Sequence, residues 1–213
     1  FATSDDLSLA TFTVLSSGAT LFTNFDNPME KVNYSFTVEE EKKTQSPLYI
    51  LKENDDLMID EAFKVADNLC HELNITRHKI LIVCSTSELL AQTVKFASLG
   101  NKPYEILKQR GDIEVVKSAE KKNRYVIGMI DYVGGLEFDA VIIIGVDKGR
   151  VPPTEDDEHN ESQHFQNFAW HNRMYIAVTR AKYVVYMIGE KTRGESLLLS
   201  SAINNGILKV KER

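Results

Sequence analysis

Cysteine is scarce. The chain has only two, Cys70 and Cys84, each inside an apolar periodic stretch and neither in a spaced cluster. That excludes a disulfide framework and a Cys-ligated zinc site, and predicts buried free thiols in a reducing, intracellular (cytoplasmic) setting. The five histidines, His71, His78, His159, His164 and His171, have no metal-ligand spacing to partners, so no metal site is expected. No apolar run approaches the roughly 18 residues that span a bilayer, and no basic segment leads into an apolar one at the start, which argues against a membrane protein or a secretory precursor. Positive charge is also short. With 25 Lys and Arg against 31 Asp and Glu, the net charge is −6, so contact with a polyanion would need a local patch or a larger assembly. Finally, no G-x-x-x-x-G-K-[ST] phosphate loop occurs. The chain opens at Phe1 rather than Met and reads as a fragment or processed product whose missing motifs would lie upstream.

What is present is the make-up of a globular protein, 43% hydrophobic and 26% charged, long enough for one large domain or two small ones. Residues 1–46 are Ser/Thr-rich and weakly periodic, and read as an edge segment with a hairpin around Asn27-Pro28. From 47 to 213 strands and helices alternate. Leu48–Leu51 is a short apolar run, and Asp56 to Leu73 carries Leu57, Ile59, Phe63, Ala66, Leu69 and Cys70 at helical spacing. Lys79–Cys84 reads as a buried strand, followed by a helix capped by Ser87 that stops at Gly100. Arg124–Ile130 is a further run, and Ala140–Gly145 is an unbroken β-branched stretch of the kind found in central parallel strands. An acidic loop, Glu155 to Glu161, separates it from a helix over Phe168–Arg180, a strand over Tyr183–Ile188 and a closing helix over Glu195–Ile203. This order predicts a three-layer α/β domain with a mainly parallel sheet.

Two segments carry chemistry. In Gly134-Gly135-Leu136-Glu137-Phe138, a glycine pair lets backbone approach a ligand, and Glu137 stands just before a central strand, where α/β sheets hold their sites. In Asn172 through Lys182, Arg180 ends an apolar helix as a fixed guanidinium, suited to gripping a phosphate with paired hydrogen bonds. Each has a plainer reading: Arg180 as a surface ion-pair partner, Gly134 as a turn glycine. Trp170 and Phe168 read as a core-packed helix face rather than a stacking platform for bases. Leu57-Met58-Ile59-Asp60-Glu61-Ala62 imitates a magnesium-binding acidic box, but its apolar spacing continues as a helix to Leu73.

The two segments resemble motifs V and VI of the UvrD/Rep/PcrA class of superfamily 1 DNA helicases, approximately T-x-H-x-x-K-G-L-E-F-x-x-V and Y-V-A-x-T-R-A. Gly145 through Pro152 is similar to that family's G-x-x-x-G-x-x-P loop, and Pro103-Tyr104 echoes its "I-P-Y". The resemblance spans roughly Pro47 to Ile188. It implies the second, C-terminal RecA-like motor domain, P-loop NTPase-like but lacking the Walker A half. ATP with Mg²⁺ would be bound mainly by an upstream RecA-like domain of the same polypeptide, and this chain alone would bind neither nor hydrolyse ATP.

By the same resemblance Arg180 matches the arginine finger and Glu137 the ribose-contacting glutamate, while Gly135, Tyr175 and Thr179 match nucleotide-contacting positions, with Asn172 lining the motif. An arginine finger stabilises charge on the transferred phosphoryl group. Single-stranded DNA would be the partner. Yet Met129, Asp131 and Gly134 stand where the family has Thr, His and Lys, and Asp131 would repel a phosphate. The γ-phosphate segment Q-N-Y-R-S has only an echo at Thr23-Asn24-Phe25-Asp26, and the family's large insertion is absent. Competing expectations are a degenerate helicase-like module for nucleotide sensing or protein interaction, and a small-ligand α/β enzyme, for which no nucleophile and base are present.

Overall fold

Strand β2 (Ile80–Cys84) is buried at every position, as an unbroken apolar run demands when helices cover both faces. Around it a computed structural model, which describes residues 45–153 and 160–212, arranges six more strands. They are β1 (Leu48–Lys52), β3 (Tyr104–Ile106), β4 (Tyr125–Met129), β5 (Phe138–Ile144), β6 (Ala181–Glu190) and β7 (Lys209–Glu212). The order is β3-β4-β2-β5-β6-β1-β7 and every pairing is parallel. Five helices accompany them: α1 (Asp55–Glu72), α2 (Ser87–Leu99), α3 (Ile113–Lys122), α4 (Asn160–Val178) and α5 (Ser200–Asn204).

Because successive side chains on a strand point to opposite faces, the sheet divides the core in two. Ile80, Ile82, Ile142 and Ile144 join Met58, Phe63 and Leu89 of α1 and α2 on one face. Leu81, Val83, Val141 and Ile143 join Ala119, Trp170, Met174, Ala177 and Ala202 of α3, α4 and α5 on the other. The result is the expected three-layer α/β domain.

Local chemistry sets the helix starts. Asn54 caps α1 by accepting from the Leu57 amide, with Asp55 and Asp56 in the first turn, where anions suit the helix dipole. The acidic-box imitation lies inside this helix: Asp60 pairs with Lys64 at 2.5 Å, and buried Glu61 pairs with Lys52 at 2.7 Å.

Several expectations are corrected. Thr86, not Ser87, caps α2, its hydroxyl accepting from the Leu89 amide. Helix α4 begins at Asn160, within the stretch read as an acidic loop and ahead of Phe168. Phe168 itself is exposed, and only Trp170 of that pair is buried. The closing helix is instead a 3-10 turn at Leu197–Leu199 followed by a short α5, and Glu195 lies outside both, in an isolated antiparallel bridge with Asp147. Cys70 is only half-buried, whereas Cys84 is buried. The edge strands β3 and β7 and helix α3 were not anticipated. The hairpin at Asn27-Pro28 and the Thr23–Asp26 echo fall outside the described residues. No helix among those described is long and apolar enough to cross a membrane.

At the carboxyl edge of the sheet, where open α/β sheets generally bind ligands, the ends of the central strands are filled by the protein's own contacts. Where β2 and β5 end, the Ser85 hydroxyl donates to Gly145 O at 3.0 Å and the Ser85 amide to Ile144 O at 3.2 Å. Gly145 has φ +78°, and a β-carbon there would stand 2.3 Å from Leu89 Cδ1, so no gap remains. Beyond β1, β5 and β6, Arg150 bonds Asp55 at 2.6 Å, Glu190 at 3.0 Å and the fully buried Asp147 at 3.2 Å. Burial pushes the Asp147 carboxyl up, against the opposing pull of the Glu190 amide and of Arg150.

Candidate functional site at the amino edge of the sheet

The two chemical segments meet at the opposite, amino edge. Strands β5 and β6 begin side by side, with Phe138 paired to Ala181 and the Phe138 amide donating to Arg180 O at 2.8 Å. Glu137 thus precedes a central strand as expected, but at the end away from the usual ligand crevice.

Arg180 follows the last turn of α4, where carbonyls lack helical partners. Its Nε donates to Ile176 O at 3.0 Å, its Nη1 to Leu136 O at 3.2 Å and its Nη2 to Thr179 Oγ1 at 3.2 Å. The guanidinium therefore caps the helix and ties it to the glycine turn, using three of its five donors among the described residues. No carboxylate pairs with it there, unlike the plain surface arginine of the sequence reading. A half-buried cation restrained at three nitrogens is pre-organised for an anion.

The other predicted residues distribute unevenly. Thr179 lies beside Arg180, its hydroxyl 2.8 Å from Tyr175 O and 3.1 Å from Ile176 O. Tyr175 brings its carbonyl to this cap and is itself 40% exposed, and Asn172 is exposed one turn earlier. Gly135 is exposed at φ +81° with open space around it. Glu137 is 70% exposed and lies 3.4 Å from Lys182 Nζ; Lys182 stood in the quoted segment without a role. Met129 ends β4 and is half-buried, and Asp131 follows in a 3-10 turn, so these two lie at the carboxyl edge, apart from Arg180. Asp131 pairs with Arg173 of α4 at 2.9 Å, and Arg173 also stacks 5.0 Å over the Trp170 ring. The charge that would have repelled a phosphate is thereby answered inside the chain. Gly134 is buried beneath Arg110. Among the described residues no group of three His, Cys, Asp or Glu is placed to hold a metal ion.

No protein-family profile matches the chain, and no curated protein matches it. Solved structures do. The C-terminal domain of a "possible DNA helicase" from Lactobacillus plantarum superposes with a TM-score of 0.54 at 14% identity, covering 81% of this chain and 92% of that one. The C-terminal domain of Dbp5 from S. cerevisiae gives 0.50 at 11% identity, covering 78% and 88%. An XPD helicase gives 0.51 at 15% identity, covering 87% of this chain and 39% of that chain. The described residues therefore form an α/β RecA-like domain, with the fold of helicase C-terminal domains.

Proposed function

We propose that this chain is the C-terminal motor domain of a UvrD-like, ATP-dependent DNA helicase or translocase. In it, Arg180 reaches across a cleft to the γ-phosphate of ATP held with Mg²⁺ by an upstream RecA-like domain. Glu137, Gly135, Tyr175 and Thr179 line the same side, and closing on the nucleotide along single-stranded DNA is the mechanical step.

The observation that carries the reading is the triple restraint of Arg180 by Ile176 O, Leu136 O and Thr179 Oγ1. It couples the end of α4 to the glycine turn, so that the two segments resembling motifs V and VI form one surface. The shared fold of helicase C-terminal domains supports it. A preplaced guanidinium costs little reorganisation when charge develops on the phosphoryl group.

The test is ATP hydrolysis by the complete parent protein, with and without single-stranded DNA. Arg180→Ala is expected to lower strand-stimulated kcat by roughly 10³-fold or more while ATP still binds. Arg180→Lys should not restore it, because an ammonium cannot reproduce the forked restraint. Absence of turnover in wild type would sink the motor and leave the nucleotide-sensing or protein-interaction module as the better account.

A further inference from the structure

Between β4 and β5 the chain returns from the carboxyl edge of the sheet to the amino edge in eight residues, Ile130 to Glu137, that begin with a 3-10 turn at Ile130–Tyr132. Ile130, Val133 and Leu136 pack into the core beneath it. The Gly111 amide also ties it down, donating to Tyr132 O at 3.0 Å. This crossover is therefore a fixed rail. Helix α4 packs against it and is fastened to it twice. Near the start, Arg173 Nε meets Asp131 Oδ1 at 2.9 Å. Near the end, Arg180 Nη1 donates to Leu136 O at 3.2 Å.

Arg173 and Arg180 are seven residues apart. On an α-helix that is close to two full turns and about 10 Å along the axis, so both leave the same side. The Thr179 amide still donates to Tyr175 O at 3.0 Å, and so carries the helical path from α4 to Arg180. A single tie would leave the helix free to swivel about one point, whereas two fix its rotation and its position along the rail. The first tie is itself steadied, because the Arg173 guanidinium stacks 5.0 Å over the ring of Trp170, a buried core residue. The side chains of Arg173 and Asp131 are 41% and 48% exposed, and an ion pair in that setting adds little to fold stability. Its consequence is placement. Asp131 stands where the helicase motif has His, so this second tie belongs to this chain rather than to the pattern it resembles.

We infer that Arg173, through Asp131, is a positioning residue for Arg180: the pair sets the rotation of α4 against the crossover, and with it the direction in which the Arg180 guanidinium points. The placement rests on geometry, and its value for hydrolysis rests on the motor reading.

The test uses the complete parent protein and two readouts. In strand-stimulated ATP hydrolysis, Arg173→Ala and Asp131→Ala are each expected to lower kcat roughly tenfold with the KM for ATP unchanged. A misplacement of about 1 Å can cost on the order of a hundredfold, and here the helix is still held at one end. Arg173→Lys, which keeps a cation opposite Asp131, should retain most of the rate. In the Arg180→Ala background Arg173→Ala should cost nothing more, because the two act through one group. In hydrogen exchange read by mass spectrometry, both alanine variants should speed exchange roughly threefold or more in 176–182 and at Phe138, whose amide donates to Arg180 O. Strand β2 and the thermal midpoint should stay as in wild type. A loss of kcat that adds to that of Arg180→Ala, or unchanged exchange in 176–182, overturns the proposal. Loosening spread over the whole sheet overturns it too, as the mark of a merely structural contact. Wild type without ATP turnover strikes the motor reading alone, and exchange in 176–182 then decides whether Arg173 places Arg180.

Discussion

Arg180 shows how one side chain can tie a helix end to a neighbouring turn. By capping α4 it satisfies carbonyls that would otherwise lack partners, and those same bonds hold the guanidinium in place. Two other residues have purely structural counterparts. Tyr49 is fully buried and its hydroxyl donates to Val146 O at 2.6 Å. Burial, reinforced by the charges of Asp147 and Glu195, holds its proton well above the ordinary tyrosine range. Tyr49→Phe strands a buried carbonyl and should cost about 1–3 kcal/mol in urea unfolding, with the m-value unchanged. At Gly145 the backbone is left-handed and a methyl would meet Leu89 Cδ1 at 2.3 Å and Ser85 Oγ at 2.4 Å. Gly145→Ala should therefore cost about 2–5 kcal/mol, strain and overpacking together. Gly194→Ala is the control. Gly194 has φ +84° but open space, so only the backbone penalty of about 1–2 kcal/mol is expected.

Helix α3 and strand β3 are joined by a single hub. Glu105 of β3 accepts from Lys122 at 3.0 Å, from Ser118 at 3.2 Å and from Arg124 at 3.2 Å. The bond from Lys122, against the opposing effect of burial and with help from Ser118, holds its carboxyl below the ordinary 4.5. The folded state thus binds that proton less tightly than the unfolded chain. Stability linked to Glu105 is full above 4.5 and is lost as pH falls through the lower folded value. The difference in unfolding free energy between wild type and Glu105→Gln should accordingly shrink as the solution is acidified below 4.5. A difference constant with pH would deny the hub its role. This edge is also where elements were hardest to read. Strand β3 has three half-buried residues, too few for alternation to register. Helix α3 buries only Ala119, and its visible cues, the Asp112 cap and the Lys121-Lys122 end, are those of many loops. Strand β7, Lys-Val-Lys-Glu, has the charged make-up that protects a sheet edge.

Across the molecule, protection should follow the layering. Strands β2 and β5 are flanked on both sides and covered by helices on both faces, whereas β3 and β7 end the sheet. Amide hydrogen exchange is therefore expected to be slowest in β2 and β5 and fastest in β3 and β7. Uniform exchange would mean that the sheet opens as one unit. Gly135, Glu137 and Arg180 gather at the amino edge because they directly precede β5 and β6, parallel strands that begin side by side.

Local pattern alone determined the central strands, helices α1 and α2 and the three-layer α/β class, because a core sandwiched between helices imposes long apolar runs and helical spacing on the residues that form it. The resemblance to motifs V and VI, rather than local pattern, marked Arg180 and the Gly134–Phe138 turn as belonging together. Which edge of the sheet they share was decided only by tertiary structure, since the 41 residues between Phe138 and Arg180 carry no record of strand order. The same holds for Asp131, answered by Arg173, and for Arg110, delivered onto Gly134 from a loop about two dozen residues away. Charge pairing and close backbone approach are long-range contacts, and they exist only once the chain has closed on itself.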